Sequence, residues 1–151
     1  MNEIQTILLV DDSENDLALM RNAFKKSKRS QSLQEVRNGE EAIAYLKGEG
    51  QYCDRNKFPL PTLMLLDLNL PKKNGFEVLT WVRAQPVLKR LAITILSASS
   101  LSEDMENAFY LGANSFLVKP SDLESLEVVM RCLCDWVQIN HFPSLDKAGP
   151  I

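Results

Sequence analysis

The chain has 151 residues, 45% of them hydrophobic and 25% charged, which is enough apolar material for one domain with its own core and no need of disulfides or a structural metal. Its 17 Lys and Arg against 20 Asp and Glu leave a net charge of −3, which excludes a protein held to nucleic acid or to an anionic membrane mainly by charge. No apolar run approaches the ~20 residues that span a bilayer, the first residues lack a signal peptide's basic and apolar regions, and Cys53, Cys132 and Cys134 read as reduced thiols, so the expected location is the cytoplasm.

Apolar runs rich in β-formers alternate with stretches of helical periodicity, the pattern of a parallel sheet built from strand–helix–strand units. The first strand is Thr6–Val10. Leu17, Met20 and Phe24 then mark one face of a helix from about Asn15 to Ser27, with Ser13 or Asp12 placed to cap it. The basic run Lys25 to Arg29 reads as its C-terminal end, where cations complement the helix dipole. A second strand near Leu33 to Arg37 mixes charges with apolar residues, which predicts an edge; Leu63–Leu66 and Ile93–Leu96 are nearly uninterrupted, which predicts the centre. A fifth strand ends at Val118. Helices are predicted over Glu40–Lys47, Gly75–Ala84, Ser102–Leu111 and from Asp122 to about Ile139. The last two come after S-x-x-E capping signatures that begin at Ser100 and Ser121. Gly48 to Pro61 reads as a long surface loop and the chain from Pro143 as a loose tail. The fold class is therefore α/β, a doubly wound parallel sheet of five strands with five helices on its two faces.

In open parallel sheets ligands bind beyond the carboxyl ends of the strands. The residues there are Asp11 and Asp12 after the first strand, Asp67 after the third, Ser97 at the end of the fourth and Lys119 after the fifth. Three carboxylates brought together repel one another unless a cation neutralises them, and hard oxygen donors suit Mg²⁺. A carboxylate can accept a phosphoryl group as an acyl phosphate while Mg²⁺ and a Lys ammonium offset the charge on the transferring oxygens. Asp67, central in the sheet, is the candidate nucleophile; Asp12 with Asp11 would hold the metal, Lys119 would contact the phosphoryl oxygens or the carboxylate, and the Ser97 hydroxyl could turn toward a new phosphoryl oxygen. Taken singly, Asp11 and Asp12 could cap a helix, Asp67 a turn, and Lys119 could be a surface salt-bridge partner; it is their order along the chain that carries the chemical reading.

The set Leu8-Leu9-Val10-Asp11-Asp12, Leu65-Leu66-Asp67-Leu68-Asn69-Leu70-Pro71, Asn74-Gly75, Leu96-Ser97-Ala98 and Lys119-Pro120 resembles the response-regulator receiver domain of two-component signalling. That resemblance implies a flavodoxin-like receiver fold with strand order 2-1-3-4-5, one receiver domain over residues 1–140 and a C-terminal tail over 141–151. It implies phosphorylation of Asp67 by a sensor histidine kinase and Mg²⁺ held by Asp11, Asp12, Asp67 and the backbone carbonyl of Asn69. It also makes Lys119 the charge partner and Ser97 with Phe116 the switch pair. Ser97 keeps the hydroxyl of the more frequent Thr, whereas Phe116 lacks the phenol that some relatives carry. The insertion from Gly48 to Pro61 and the Asp135-Trp136 ending look like the phytochrome-associated cyanobacterial regulators, which stand alone and whose kinase is phytochrome-like. The chain beyond Lys119 has room for a last helix and a tail but not for a DNA-binding domain, so output is expected through protein contacts, without direct nucleic acid or membrane binding.

The last helix carries more apolar residues than one stripe needs. With Phe109, Tyr110 and His141-Phe142-Pro143 they predict a homodimer or partner interface on the face formed by the fourth helix, fifth strand and fifth helix. A scaffold that is never phosphorylated, or a helix merely overlain by the tail, are the alternatives. An aspartyl-phosphate hydrolase would need a second Asp two residues after the nucleophile; Asn69 stands there, so no enzymatic turnover is expected beyond slow self-dephosphorylation.

Overall fold

The structure, a computed structural model, describes residues 5–27 and 30–145. Lys28 and Arg29 of the basic run, the first four residues, and the tail beyond Leu145 lie outside the described residues. Five strands, β1 (Thr6–Val10), β2 (Ser32–Val36), β3 (Leu63–Leu66), β4 (Ala92–Ser97) and β5 (Ser115–Val118), form one sheet in the order β2-β1-β3-β4-β5. Every pairing is parallel. Five α-helices alternate with them among the described residues: α1 (Glu14–Ser27), α2 (Gly39–Lys47), α3 (Gly75–Ala84), α4 (Ser102–Tyr110) and α5 (Leu123–Ile139).

Alternation along the strands divides the core in two, because successive side chains leave a strand on opposite faces. Leu8, Val10, Met64, Leu66, Ile93 and Ile95 pack under α2, α3 and α4 through Leu46, Val78, Leu79, Val82 and Ala108. Ile7, Leu9, Leu63 and Leu65 pack under α1 and α5 through Leu17, Met20, Leu126, Met130, Cys134 and Val137. The central strands β1, β3 and β4 are buried along their whole length, whereas β2 is fully buried only at Val36. This matches the edge and centre assignments read from polarity.

Three local features differ from the sequence reading. Ser100 does not cap α4; its N-cap is Leu101, without a side-chain bond, and the Ser99 hydroxyl accepts the Leu101 N–H (3.3 Å) instead. α5 is capped by Asp122, which accepts the Ser125 N–H at 2.7 Å, one residue later than the predicted Ser121. The Gly48 to Pro61 segment is a packed unit and not a bare loop. It holds a 3-10 turn at Gly50–Tyr52, and the rings of Tyr52 and Phe58 lie 5.1 and 6.0 Å from Tyr45. Its Arg55 guanidinium donates to carbonyls at the end of α2, Tyr45 O (2.8 Å), which also accepts the Gly48 N–H, and Leu46 O (2.7 Å). The start of the tail also packs: Phe142 stands edge-on to Trp136 at 5.5 Å, and Leu145 is buried. The other α5 residues are as expected, a buried stripe of Leu126, Met130, Cys134 and Val137 with Leu123, Val128, Trp136 and Ile139 left exposed.

Candidate functional site

The hydrogen-bond ladder continues one residue past the strands and pins the site's backbone: Asp11 N–H donates to Val36 O (3.1 Å), Asp67 N–H to Val10 O (3.0 Å) and Lys119 N–H to Ser97 O (2.8 Å). The carboxyl edge of the sheet therefore fixes the origin of each side chain. Gly75 closes the loop after β3, donating its N–H to Leu68 O at 2.9 Å. A Cβ there would lie 2.3 Å from the carbonyl oxygen of Asp67, so only glycine lets α3 start this close to the strand end.

The Lys119 ammonium is the hub of the pocket, 2.6 Å from Asp11 Oδ2, 2.9 Å from Asp67 Oδ2 and 2.8 Å from Asp16 Oδ2. Burial alone would lower its pKa, but the bonds to Asp11, Asp16 and Asp67 outweigh that and hold it above its ordinary value, so it stays charged. Burial pushes the Asp11 carboxyl up, against the pull of Lys119 and of the Ser13 N–H.

Asp11, Asp12 and Asp67 each offer a carboxylate oxygen within 4.8 Å of the others, with Asp12 exposed and the other two buried. These hard donors, open to solvent on the Asp12 side and carrying more negative charge than one ammonium cancels, fit a divalent cation such as Mg²⁺. Bound there, such a cation supplies positive charge to oxygen atoms that become more negative during a transfer. Asn69 comes next at the rim, its N–H 3.3 Å from Asp67 Oδ1.

Ser97 is completely buried, and its hydroxyl oxygen accepts the Ser99 N–H at 3.3 Å. Ser99 in turn donates to Asp104 in the first turn of α4 (2.5 Å). Phe116, two residues before the β5 partner of Ser97, packs against the core on the α3 and α4 side. All seven residues read from the sequence thus lie at or beside this edge: Asp11, Asp12, Asp67, Asn69, Ser97 and Lys119 around the pocket, Phe116 one step down β5. Two contributors were not anticipated, Asp16 and the Ser99–Asp104 pair. Asp16 lies in the first turn of α1, at the end of the helix that faces the pocket, but no spacing in the sequence singles it out.

The sequence profile of the response regulator receiver domain matches residues 7–131. The chain is 38% identical over 144 residues to the response regulator Rcp1 of Synechocystis sp., covering 95% of this chain and 96% of Rcp1. Among solved structures it is similar to the phosphorylated cyanobacterial phytochrome response regulator RcpA, with a TM-score of 0.86, 34% identity and coverage of 94% of this chain and 100% of that one. It is likewise similar to the Mn²⁺-bound form of Rcp1, with a TM-score of 0.82, 35% identity and coverage of 93% and 99%.

Proposed function

Given that the chain belongs to the response regulator receiver domain family of two-component signalling, we propose that it is a switch in which Asp67 accepts a phosphoryl group from the phosphohistidine of a sensor histidine kinase. The observation that supports this best is a buried Asp67 carboxylate 2.9 Å from the Lys119 ammonium, inside an acidic pocket suited to Mg²⁺. Rcp1 and RcpA, a phytochrome response regulator, favour a phytochrome-like kinase as the partner.

An Asp67 carboxylate oxygen attacks phosphorus, the P–N bond of the phosphohistidine breaks, and the imidazole leaves with its electron pair. Asp11, Asp12, Asp67 and the Asn69 carbonyl are the proposed holders of Mg²⁺. Lys119 moves from carboxylate to phosphoryl oxygens, Ser97 leaves the Ser99 N–H to donate to the new group, and Phe116 fills the space vacated. The surface of α4, β5 and α5 is remodelled as a result. Loss of the group is slow hydrolysis of the acyl phosphate by water, with Asn69 offering no acid–base carboxylate.

Output passes through protein contacts. Met105, Phe109, Tyr110, Val118, Trp136 and Ile139 are large apolar residues left at the surface of α4, β5 and α5, Tyr110 being 89% exposed. This patch is the proposed homodimer or partner face. Phe142, turned onto Trp136, covers part of it. Among the described residues no helix is long and apolar enough to cross a membrane. A cytoplasmic location, beside the kinase, is part of the proposal.

The test is incubation with Mg²⁺ and acetyl phosphate, then intact mass and sizing chromatography, with Asp67→Asn as control. A phosphoryl adduct on the wild type alone is expected. An adduct of equal yield on Asp67→Asn would overturn the assignment.

A further inference from the structure

Asp16 belongs to no part of the phosphoacceptor reading above, yet it takes one of the three hydrogens of the ammonium on which that reading depends. Its place in α1 would give it a different task. Ser13 caps the helix by accepting the Asp16 N–H at 3.2 Å, and a carboxylate at this position ordinarily turns back to the cap residue's own N–H. Here the Ser13 N–H is already engaged, donating to Asp11 Oδ1 at 3.0 Å. The Asp16 carboxylate therefore has no cap to complete, and it turns to Lys119 Nζ at 2.8 Å.

We propose that Asp16 is a positioning residue that holds Lys119 in the resting site and raises the threshold for a phosphoryl group on Asp67. The inference rests on Asp67 being the phosphoacceptor. Lys119 has three N–H donors: two are bonded to Asp16 and Asp67, and the Asp11 carboxylate is paired with the same nitrogen at 2.6 Å. The lysine leaves the Asp67 carboxylate for a phosphoryl oxygen, and that move pulls its ammonium against the two carboxylates that remain, Asp11 and Asp16. The side chains of Asp11 and Asp67 are 3% and 7% exposed, that of Asp16 37%, so water replaces the lost bond only at Asp16. Of the two remaining partners, Asp16 is the tether that yields, and its pull opposes the move. Its charge acts in the same direction, since an acyl phosphate of roughly −1.5 to −2 replaces a carboxylate of −1 at Asp67, a net gain of about 0.5 to 1 negative charge in a pocket that Asp16 already makes more negative.

The consequence runs against the usual expectation for an acidic residue in an active pocket: removing Asp16 strengthens phosphoryl capture. The test titrates beryllofluoride, a phosphoryl mimic, into the protein at saturating Mg²⁺ and tracks the bound species by ¹⁹F NMR. Asp16→Asn is expected to reach half-saturation at about tenfold lower beryllofluoride than wild type, with faster phosphorylation by acetyl phosphate, and Asp16→Glu to stay within about threefold of wild type. Melting temperatures in EDTA are recorded beside these titrations, because a merely structural Asp16 would move them and leave the half-saturation point alone. Asp16→Ser serves as the second variant if Asp16→Asn does not fold. Unchanged or weaker beryllofluoride binding by the folded variant overturns the inference while leaving the phosphoacceptor in place. Failure of the wild type to bind beryllofluoride, just as Asp67→Asn fails, overturns the phosphoacceptor reading and this inference with it.

Discussion

Among the site residues Asp11 carries the largest conflict between function and stability. Burial raises its carboxyl above the ordinary carboxylate range, so the folded protein binds that proton more tightly than the unfolded chain does. Stability consequently falls as pH rises from the ordinary aspartate range through the raised value. Asp11→Asn removes this decline: in EDTA at neutral pH the variant is expected to be more stable than the wild type, measured by urea denaturation. It should also lose the rise in melting temperature that Mg²⁺ gives the wild type. Equal stabilities at neutral pH, with the wild type no better at acid pH, would contradict that sign. Gly75→Ala tests the neighbouring backbone, where a Cβ would press on the Asp67 carbonyl; a loss of about 2 kcal/mol and weaker Mg²⁺ binding are expected by denaturation and metal titration. The strand-end residues Asp11, Asp12, Asp67, Ser97 and Lys119 were legible from the chain alone because uninterrupted apolar runs locate where each strand stops. Asp16 was not, because a Ser-x-x-Asp sequence reads as a helix cap, and only the fold shows that Asp11 has already claimed the Ser13 N–H.

The helices differ in how firmly the core holds them. α5 buries Leu126, Met130, Cys134 and Val137, whereas α4 buries only Ala108. Local opening starts where little apolar area is lost, so α4 is the element that a change at Ser97 can shift at least cost, through the Ser99 bond to Asp104. Met130→Ala is expected to lose about 2–5 kcal/mol in urea denaturation, Ile139→Ser, 76% exposed, under about 0.5. On the other flank, the β2 edge carries Glu35, bonded by both arms of Arg21 at 2.7 Å. Arg21 holds the Glu35 carboxyl below its ordinary value, and stability from that bond is present above the ordinary glutamate range and lost as pH falls through the lowered value. Glu35→Gln should lower the melting temperature by about 2 °C at neutral pH, with the gap closing in acid. Strand polarity made β2 recognisable as an edge. The caps of α4 and α5 and the ring cluster of Tyr45, Tyr52 and Phe58 were hidden, since each depends on which of several adjacent polar or aromatic groups the rest of the fold brings within reach.

At the scale of the molecule, the parallel α/β class could be read from the alternation of apolar runs and helical periods and the strand order followed from the family resemblance, whereas the use of the α4–β5–α5 face could not be read, because exposed apolar residues are only a surplus until a partner covers them. If that face is the output, beryllofluoride with Mg²⁺ should shift the wild type toward a dimer in sizing chromatography. Tyr110→Glu should stay monomeric with an unchanged melting temperature. A wild type that stays monomeric when loaded would point to a different protein as the partner. The Lys119 hub has one more consequence, for the order in which the molecule becomes competent. Its ammonium joins carboxylates at positions 11, 16 and 67, and the bond to Asp16 spans 103 residues of chain. On the ribosome both the acceptor and its acidic neighbours are made well before the lysine, which arrives with the last strand of the sheet. Until then the carboxylates have no cation from the chain to gather around, and an unfinished polypeptide offers a kinase no assembled acceptor. Assembly of the Lys119 hub therefore waits on the last strand of the sheet.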